Sequence, residues 1–231
     1  MDGFRTARLF FWKGAVFMPN PRKAAAACLA IALILTGCKI IKTPTAEEAT
    51  AAANGGFNPD QQVAGIWDTK VISFLEKRAG TFQEVSALSA TDLNAAAAAY
   101  GHKEKEGSAP WTFAAKVSGF IIKAETKSRA AYLDTDVDGD GKADVRIQIG
   151  PVIKGTALRD SLDFVNFNEF KNQIQWAEFG KAFNTHVNKL TLEKLSRNGL
   201  EGKKIEALGA YPLPSTGQPA LFTPATIAIG G

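Results

Sequence analysis

Cysteine and histidine are scarce in this chain, with two of each among 231 residues. Both cysteines, Cys28 and Cys38, lie near the N-terminus, so the rest of the chain has no thiol and no internal disulfide is open to it. Zinc-ligand spacing, a glycine-rich phosphate loop and a serine nucleophile elbow are all missing, which removes the usual motif-bearing hydrolases and nucleotide enzymes. His102 sits in a charged loop and His186 on a helical pattern, neither beside a nucleophile motif, and a lone helical histidine is ordinarily a packing or surface residue. The apolar run at 24–35 is well short of the roughly 20 residues that cross a bilayer. Positive charge is also lacking once it is located. The formal charge is +4, but five of the 27 basic residues (Arg5, Arg8, Lys13, Arg22, Lys23) and only one of the 23 acidic ones (Asp2) precede Cys38. From Cys38 onward 22 of each sign remain, and the case for a nucleic-acid partner disappears.

What is present at the N-terminus is an export signal. Arg22 and Lys23 precede the apolar run, and Leu35, Thr36, Gly37 and Cys38 resemble the lipobox of bacterial lipoproteins, in which the cysteine is acylated and becomes the new N-terminus. The resemblance implies a lipid bilayer as partner through Cys38, on the periplasmic side, and it removes thiol catalysis. Lys39 is not the aspartate that retains lipoproteins in the inner membrane of enteric bacteria, and either membrane remains open. Residues 1–17 place a second apolar cluster ahead of the basic region, so Met18 is the better start and 1–17 is expected to be a gene-start artefact. Residues 18–37 then form the signal peptide. Residues 38–57, rich in Thr, Ala, Glu and Gly, form a flexible tether with ends on the order of 25 Å apart.

Residues 58–110 carry helical patterns. Asn58 and Pro59 open the first, with Val63, Ile66, Trp67, Ile72, Phe74 and Leu75 on its apolar face. Gly80 breaks it, 82–88 is a shorter helix, and Ser89 or Thr91 caps a third over 92–100. The period changes to that of strands after Pro110. Strands are expected at 111–124, bent at Gly119, at 130–134 and at 144–149. A helix follows from Asn166 or Asn168 towards Leu195 with a kink at Gly180, then strands at 203–213 and 223–229. The order β-β-β-α-β-β over 111–231 predicts an α+β protein with an OB-fold-like five-stranded barrel, the helix plugging one end, preceded by a small helical segment. An open antiparallel sheet with one covering helix would share this pattern.

Two stretches carry candidate chemistry. Asp136, Asp138, Asp140, Gly141 and Asp144 reproduce the opening of a calcium loop, where alternating carboxylates converge on one ion and the glycine makes the turn. The twelfth position is Ile147 where an EF-hand needs glutamate, so that motif fails. Calcium loops between two strands end on the fifth carboxylate, as here, and the competing reading is plain Asp-Gly hairpin chemistry. A structural role for calcium is expected rather than a catalytic one. In 150–160, two glycines and Pro151 fix the backbone beside Thr156, Arg159 and Asp160. One reading is a ligand clamp with Arg159 gripping an anionic or hydroxyl-rich group, joined by Asn172 and Gln173. The preferred one is an internal ion pair or carbonyl-capping arginine that locks the crossover into the helix. Asp160 and Asp163 could serve glycoside chemistry only as any chance acidic pair could.

The run IQIGPVIKGTALRDSLDFVNFNEFKNQIQWAEFGKAFN, with the lipobox, Ile66-Trp67-Asp68 and the later LEGKKIEALGAYPL, resembles a family of predicted bacterial periplasmic lipoproteins of unassigned function. Its members are often encoded beside ribose-type sugar ABC importers. The resemblance therefore implies a non-enzymatic accessory or binding module in carbohydrate uptake, with a sugar or an importer component as partner. A periplasmic carbohydrate-acting enzyme is the alternative.

Overall fold

The structure is a computed structural model, and it describes residues 55–104 and 109–230. The expected gene-start segment 1–17, the signal peptide 18–37, Cys38 and the tether up to residue 54 lie outside the described residues. The tether's last residue is already part of the fold, since the Phe57 ring meets Phe170 edge-on at 5.9 Å.

Helix α1 (Pro59–Ile66) starts as its sequence dictates: the Asn58 side chain accepts from Gln61 N and proline occupies the first turn. A π-helical stretch (Trp67–Ile72) leads into α2 (Ser73–Arg78), and together these bury Val63, Trp67, Val71 and Leu75. Strand β1 (Gly80–Thr81) follows, and Thr81 and Glu84 form a reciprocal capping box at the start of α3 (Phe82–Thr91). Helix α4 (Leu93–Tyr100) is capped by Asp92, not by Ser89 or Thr91. The hydroxyls of those two bond back to Ser86 and Ala87 carbonyls inside α3, which therefore runs longer than expected.

After β2 (Gly101–His102) come β3 (Thr112–Glu125), β4 (Tyr132–Asp136) and β5 (Val145–Gln148), then the short α5 (Ala157–Asp160). Helix α6 (Gln173–Val187) precedes β6 (Lys204–Pro212) and β7 (Ala220–Ile229). Strand β3 is long enough to serve two neighbours. Its residues 112–120 pair antiparallel with β6 and its residues 120–125 with β4. The switch needs a bend, and Gly119 supplies it: a Cβ there would overlap the Asp136 carbonyl oxygen. Pairing of β4 with β5, of β5 with β7 in parallel, and of β7 with β6 then closes a five-stranded barrel. The open-sheet alternative is thereby set aside. Pro224 in β7 sits where the β6–β7 register shifts, so its missing N–H breaks no ladder.

Two hydrophobic cores result. The barrel interior holds Phe113, Val117, Ile121, Leu133, Ile147, Ile205, Tyr211 and Phe222, joined by Phe82 and Val85 of α3 and Ala96 of α4. The helices that meet the barrel interior are thus the two before the barrel, and not, as expected, the one between its third and fourth strands. Helix α6 instead packs with α1 and α5 on a second core, using Phe179, Phe183 and Val187 against Trp67, Leu158 and Leu162. Its strand members are Ala114, Leu208, Ala210 and Ala225, mostly small residues that let helices approach the sheet. The helix starts later than expected because Asn172, accepting from Gln175 N, is its cap, while Phe167–Glu169 forms a separate 3-10 turn. It passes through Gly180 as one unbroken α-helix.

The Gly119→Ala variant should lose about 1–3 kcal/mol of stability, because the obstructing atom is backbone and cannot rotate away. A denaturation midpoint equal to the wild type would contradict this account of the bend.

Candidate functional sites

The 150–160 stretch forms a lock. The Arg159 guanidinium donates to Asp160 Oδ1 through Nε at 2.8 Å and Nη2 at 2.6 Å, to Thr156 Oγ1 at 3.1 Å, and to the Trp176 carbonyl at 2.8 Å. Its Cζ lies 3.8 Å from the centre of the Trp176 ring. Thr156 Oγ1 donates to Asp160 Oδ2 at 2.6 Å, and His102 Nδ1 donates to the Asp160 carbonyl at 2.8 Å. Arg159 is 7% exposed, so these contacts consume most of its donors away from solvent. Gly180 is what admits it: a Cβ there would lie 2.7 Å from Arg159 Nη1 and 2.6 Å from Thr156 Cγ2. The structure thus brings Thr156, Arg159 and Asp160 together. Asn172 is spent on capping α6, and Gln173 is exposed on its first turn, so neither joins the other three.

The aspartate loop between β4 and β5 is built around its own backbone. Asp136 accepts from Gly139 N at 2.7 Å and Gly141 N at 2.8 Å, and Asp144 accepts from Val137 N at 2.9 Å. Gly139 and Gly141 have φ of +86° and +82°, which glycine adopts without strain. Asp136, Asp138 and Asp144 each bring a carboxylate oxygen within 4.8 Å of the other two. Burial, followed by the charges of Asp138, Asp136 and Asp140, pushes the Asp144 carboxyl above the usual range. Asp140 stands apart, paired with Lys142 at 2.9 Å in solvent. Among the expected ligands, three therefore converge and one does not.

A third place was not legible as a site in the sequence. On β4 and β5 the residues pointing out of the barrel are Tyr132, Asp134, Arg146 and Gln148, in register as Tyr132 opposite Gln148 and Asp134 opposite Arg146. Tyr132, Arg146 and Gln148 line, with residues of two loops, a pocket of about 480 Å³. The loop 126–131 contributes Ser128 and Ala130, the loop 213–219 contributes Gln218 and Pro219, and Glu125, Lys154 and Leu221 complete the wall. Asp134 itself is not part of the wall, but it holds Arg146 by a bidentate pair at 2.7 and 2.9 Å, which raises the arginine pKa further. The guanidinium sits 4.0 Å from the centre of the Tyr132 ring. Gln148, 4% exposed, clamps the next turn: Lys154 N donates to its Oε1 at 2.8 Å, and its Nε2 donates to the Lys154 carbonyl at 3.1 Å and to Thr223 Oγ1 at 3.0 Å. The volume lies within the ordinary range for small-ligand sites. The signal in the sequence was the polar half of each strand's alternation.

His186 is a packing residue, its ring 4.7 Å from that of Trp67 and its pKa lowered by burial. Among the described residues no helix is long and apolar enough to cross a membrane.

Comparison with known proteins places these features. A family model described as a predicted periplasmic lipoprotein (DUF2291) matches residues 28–228. Among solved structures, an OB-fold protein from Thermotoga maritima MSB8 superposes with a TM-score of 0.58 at 16% identity, covering 76% of this chain and 99% of that one. At that identity the likeness shows the fold alone. Among functionally curated proteins, none matches.

The lock generates a paired prediction. Gly180→Ala should destabilise by about 1–3 kcal/mol through overpacking, and Arg159→Ala by about 3 kcal/mol or more, since it strands a half-buried carboxylate. Thermal unfolding of both variants checks this, and a wild-type melting temperature for Arg159→Ala would contradict the lock.

Proposed function

Since the chain belongs to the DUF2291 family of predicted periplasmic lipoproteins and so works lipid-anchored on the periplasmic side of a bacterial membrane, we propose that it is a non-enzymatic binding module serving carbohydrate uptake. The ligand site is the β4–β5 face of the barrel. One observation carries the reading: the 480 Å³ pocket lies on the second and third barrel strands and is rimmed by the first–second and fourth–fifth strand loops. That is the face with which OB barrels hold oligosaccharides and oligonucleotides. The neutral charge from Cys38 onward favours the former. The wall offers what a hydroxyl-rich ring uses, namely a tyrosine, an arginine, an amide and a carboxylate beside apolar Pro219 and Leu221. The resemblance to proteins encoded beside ribose-type ABC importers makes such an importer the system it serves.

An enzyme would need more. Glycoside hydrolysis takes two carboxyl groups facing one bond, one of them held protonated. The pocket wall has a single carboxylate, Glu125, and its Oε1 already accepts from Lys127 N and Ser128 N. Asp160 is taken up by Arg159 and Thr156.

Calcium belongs to the same proposal as a staple of the β4–β5 hairpin, held by Asp136, Asp138 and Asp144. Calcium loops selected outside the cytosol bind at around millimolar.

Isothermal titration of the full chain against a panel of mono- and oligosaccharides should show saturable binding without turnover, weakened at least tenfold in Tyr132→Ala. Release of product from any glycan, or an unchanged affinity in that variant, would contradict the reading. For calcium, addition of 10 mM to the metal-free protein should stabilise it by about 1.4 kcal/mol if the Kd is about 1 mM, a rise of about 3–5 °C in melting temperature. Asp138→Asn, at an exposed position, should abolish the rise. A melting temperature indifferent to calcium makes the loop a turn and nothing more.

A further inference from the structure

The β4–β5 pocket holds more positive charge than its own pairing uses. Arg146 is committed to Asp134 through Nε and Nη2. Glu125, the one acid in the wall, accepts from Lys127 N at 2.9 Å and Ser128 N at 3.2 Å through Oε1 and keeps its negative charge, which the cations of the wall and rim outnumber. Lys154 is different. Both its backbone groups are fixed by the buried Gln148 side chain, so its Cα is held at the pocket edge, while its side chain is exposed. Among the described residues its ammonium forms no ion pair. Lys127 and Arg129, exposed on the loop that rims the pocket, form none either. A concave site with a surplus of cations over a low-dielectric floor concentrates anions.

We propose, resting on the reading of this face as the ligand site, that the ligand is an anionic carbohydrate: a hydroxyl-bearing ring whose carboxylate or phosphate group is received by Lys154. The ring lies over Leu221 and Pro219, and the remaining Arg146 donors and Gln218 meet its hydroxyls. Lys154 is then the residue that sets specificity between charged and neutral sugars, and its clamp by Gln148 and Thr223 is the device that positions it.

The test uses the full lipidated chain in neutral detergent micelles, titrated calorimetrically with ribose, ribose 5-phosphate, glucose, glucose 6-phosphate and glucuronate. The acidic probes should bind at least tenfold more tightly than their neutral parents, and the preference should shrink as salt is raised. Lys154→Gln should erase the preference, bringing the acidic probes to the affinity of their neutral parents, while leaving the melting temperature unchanged. Equal affinity for charged and neutral probes overturns the proposal and leaves the ligand face standing. Saturable calorimetric binding of phosphatidylglycerol added to the micelles, with no binding of free sugar acids, overturns it in favour of a lipid headgroup. Absence of binding by every probe overturns both this proposal and the face on which it rests.

Discussion

The bend of β3 at Gly119 is the constraint on which the rest of the fold depends. One strand must run along β6 for its first half and along β4 for its second, and only a residue without a side chain lets the Asp136 carbonyl come close enough for the turn. Once β4 has swung away from β6, its partner β5 meets β7 in parallel and the barrel closes. Closure divides the outer surface in two. At one end the outer faces of β3, β6 and β7 carry Ala114, Ala210 and Ala225 and are covered by helices, whereas those of β4 and β5 carry Tyr132, Arg146 and Gln148 and form the wall of a pocket. A hydrophobic interface and a polar, concave face are thus two consequences of one backbone geometry.

The lock around Arg159 works for that face at a distance. By tying Thr156 and Asp160 to the Trp176 carbonyl, it holds α5 against α6, and Asn184 of α6 reaches back to the Gly155 carbonyl at 2.9 Å. The end of the turn from Gly150 to Gly155 is therefore pinned twice, at Gly155 by Asn184 of α6 and at Lys154 by Gln148. A buried charge that looks like a binding group is, in this arrangement, part of what fixes the turn beside the β4–β5 pocket.

Much of the fold was legible because alternation of period two survives wherever one strand face is buried: the alternating Val145, Ile147 and Ile149 marked β5, and the proline-led Asn58 start marked α1. The path of α6 was not, because an apolar face says that a helix is covered but not by what. Its partners Trp67 and Leu158 belong to segments distant in sequence. The Arg159 stretch announced itself through its glycines and proline, and the preferred reading as an internal ion pair matches the geometry. The aspartate loop was visible too, but the diversion of Asp140 to Lys142 depends on rotamers that spacing does not encode. The β4–β5 pocket escaped notice because its residues look like an ordinary solvent face until closure makes them concave.

The central claim is that the ligand is received on the β4–β5 face and not at the Arg159 cluster. Hydrogen–deuterium exchange of the full chain, with and without a saturating sugar ligand, tests it most directly. The account predicts slowed exchange confined to β4, β5 and the loops 126–131 and 213–219, with 156–160 and 172–176 unchanged. Protection concentrated at Thr156, Arg159 and the start of α6, with β4 and β5 unaffected, would contradict it.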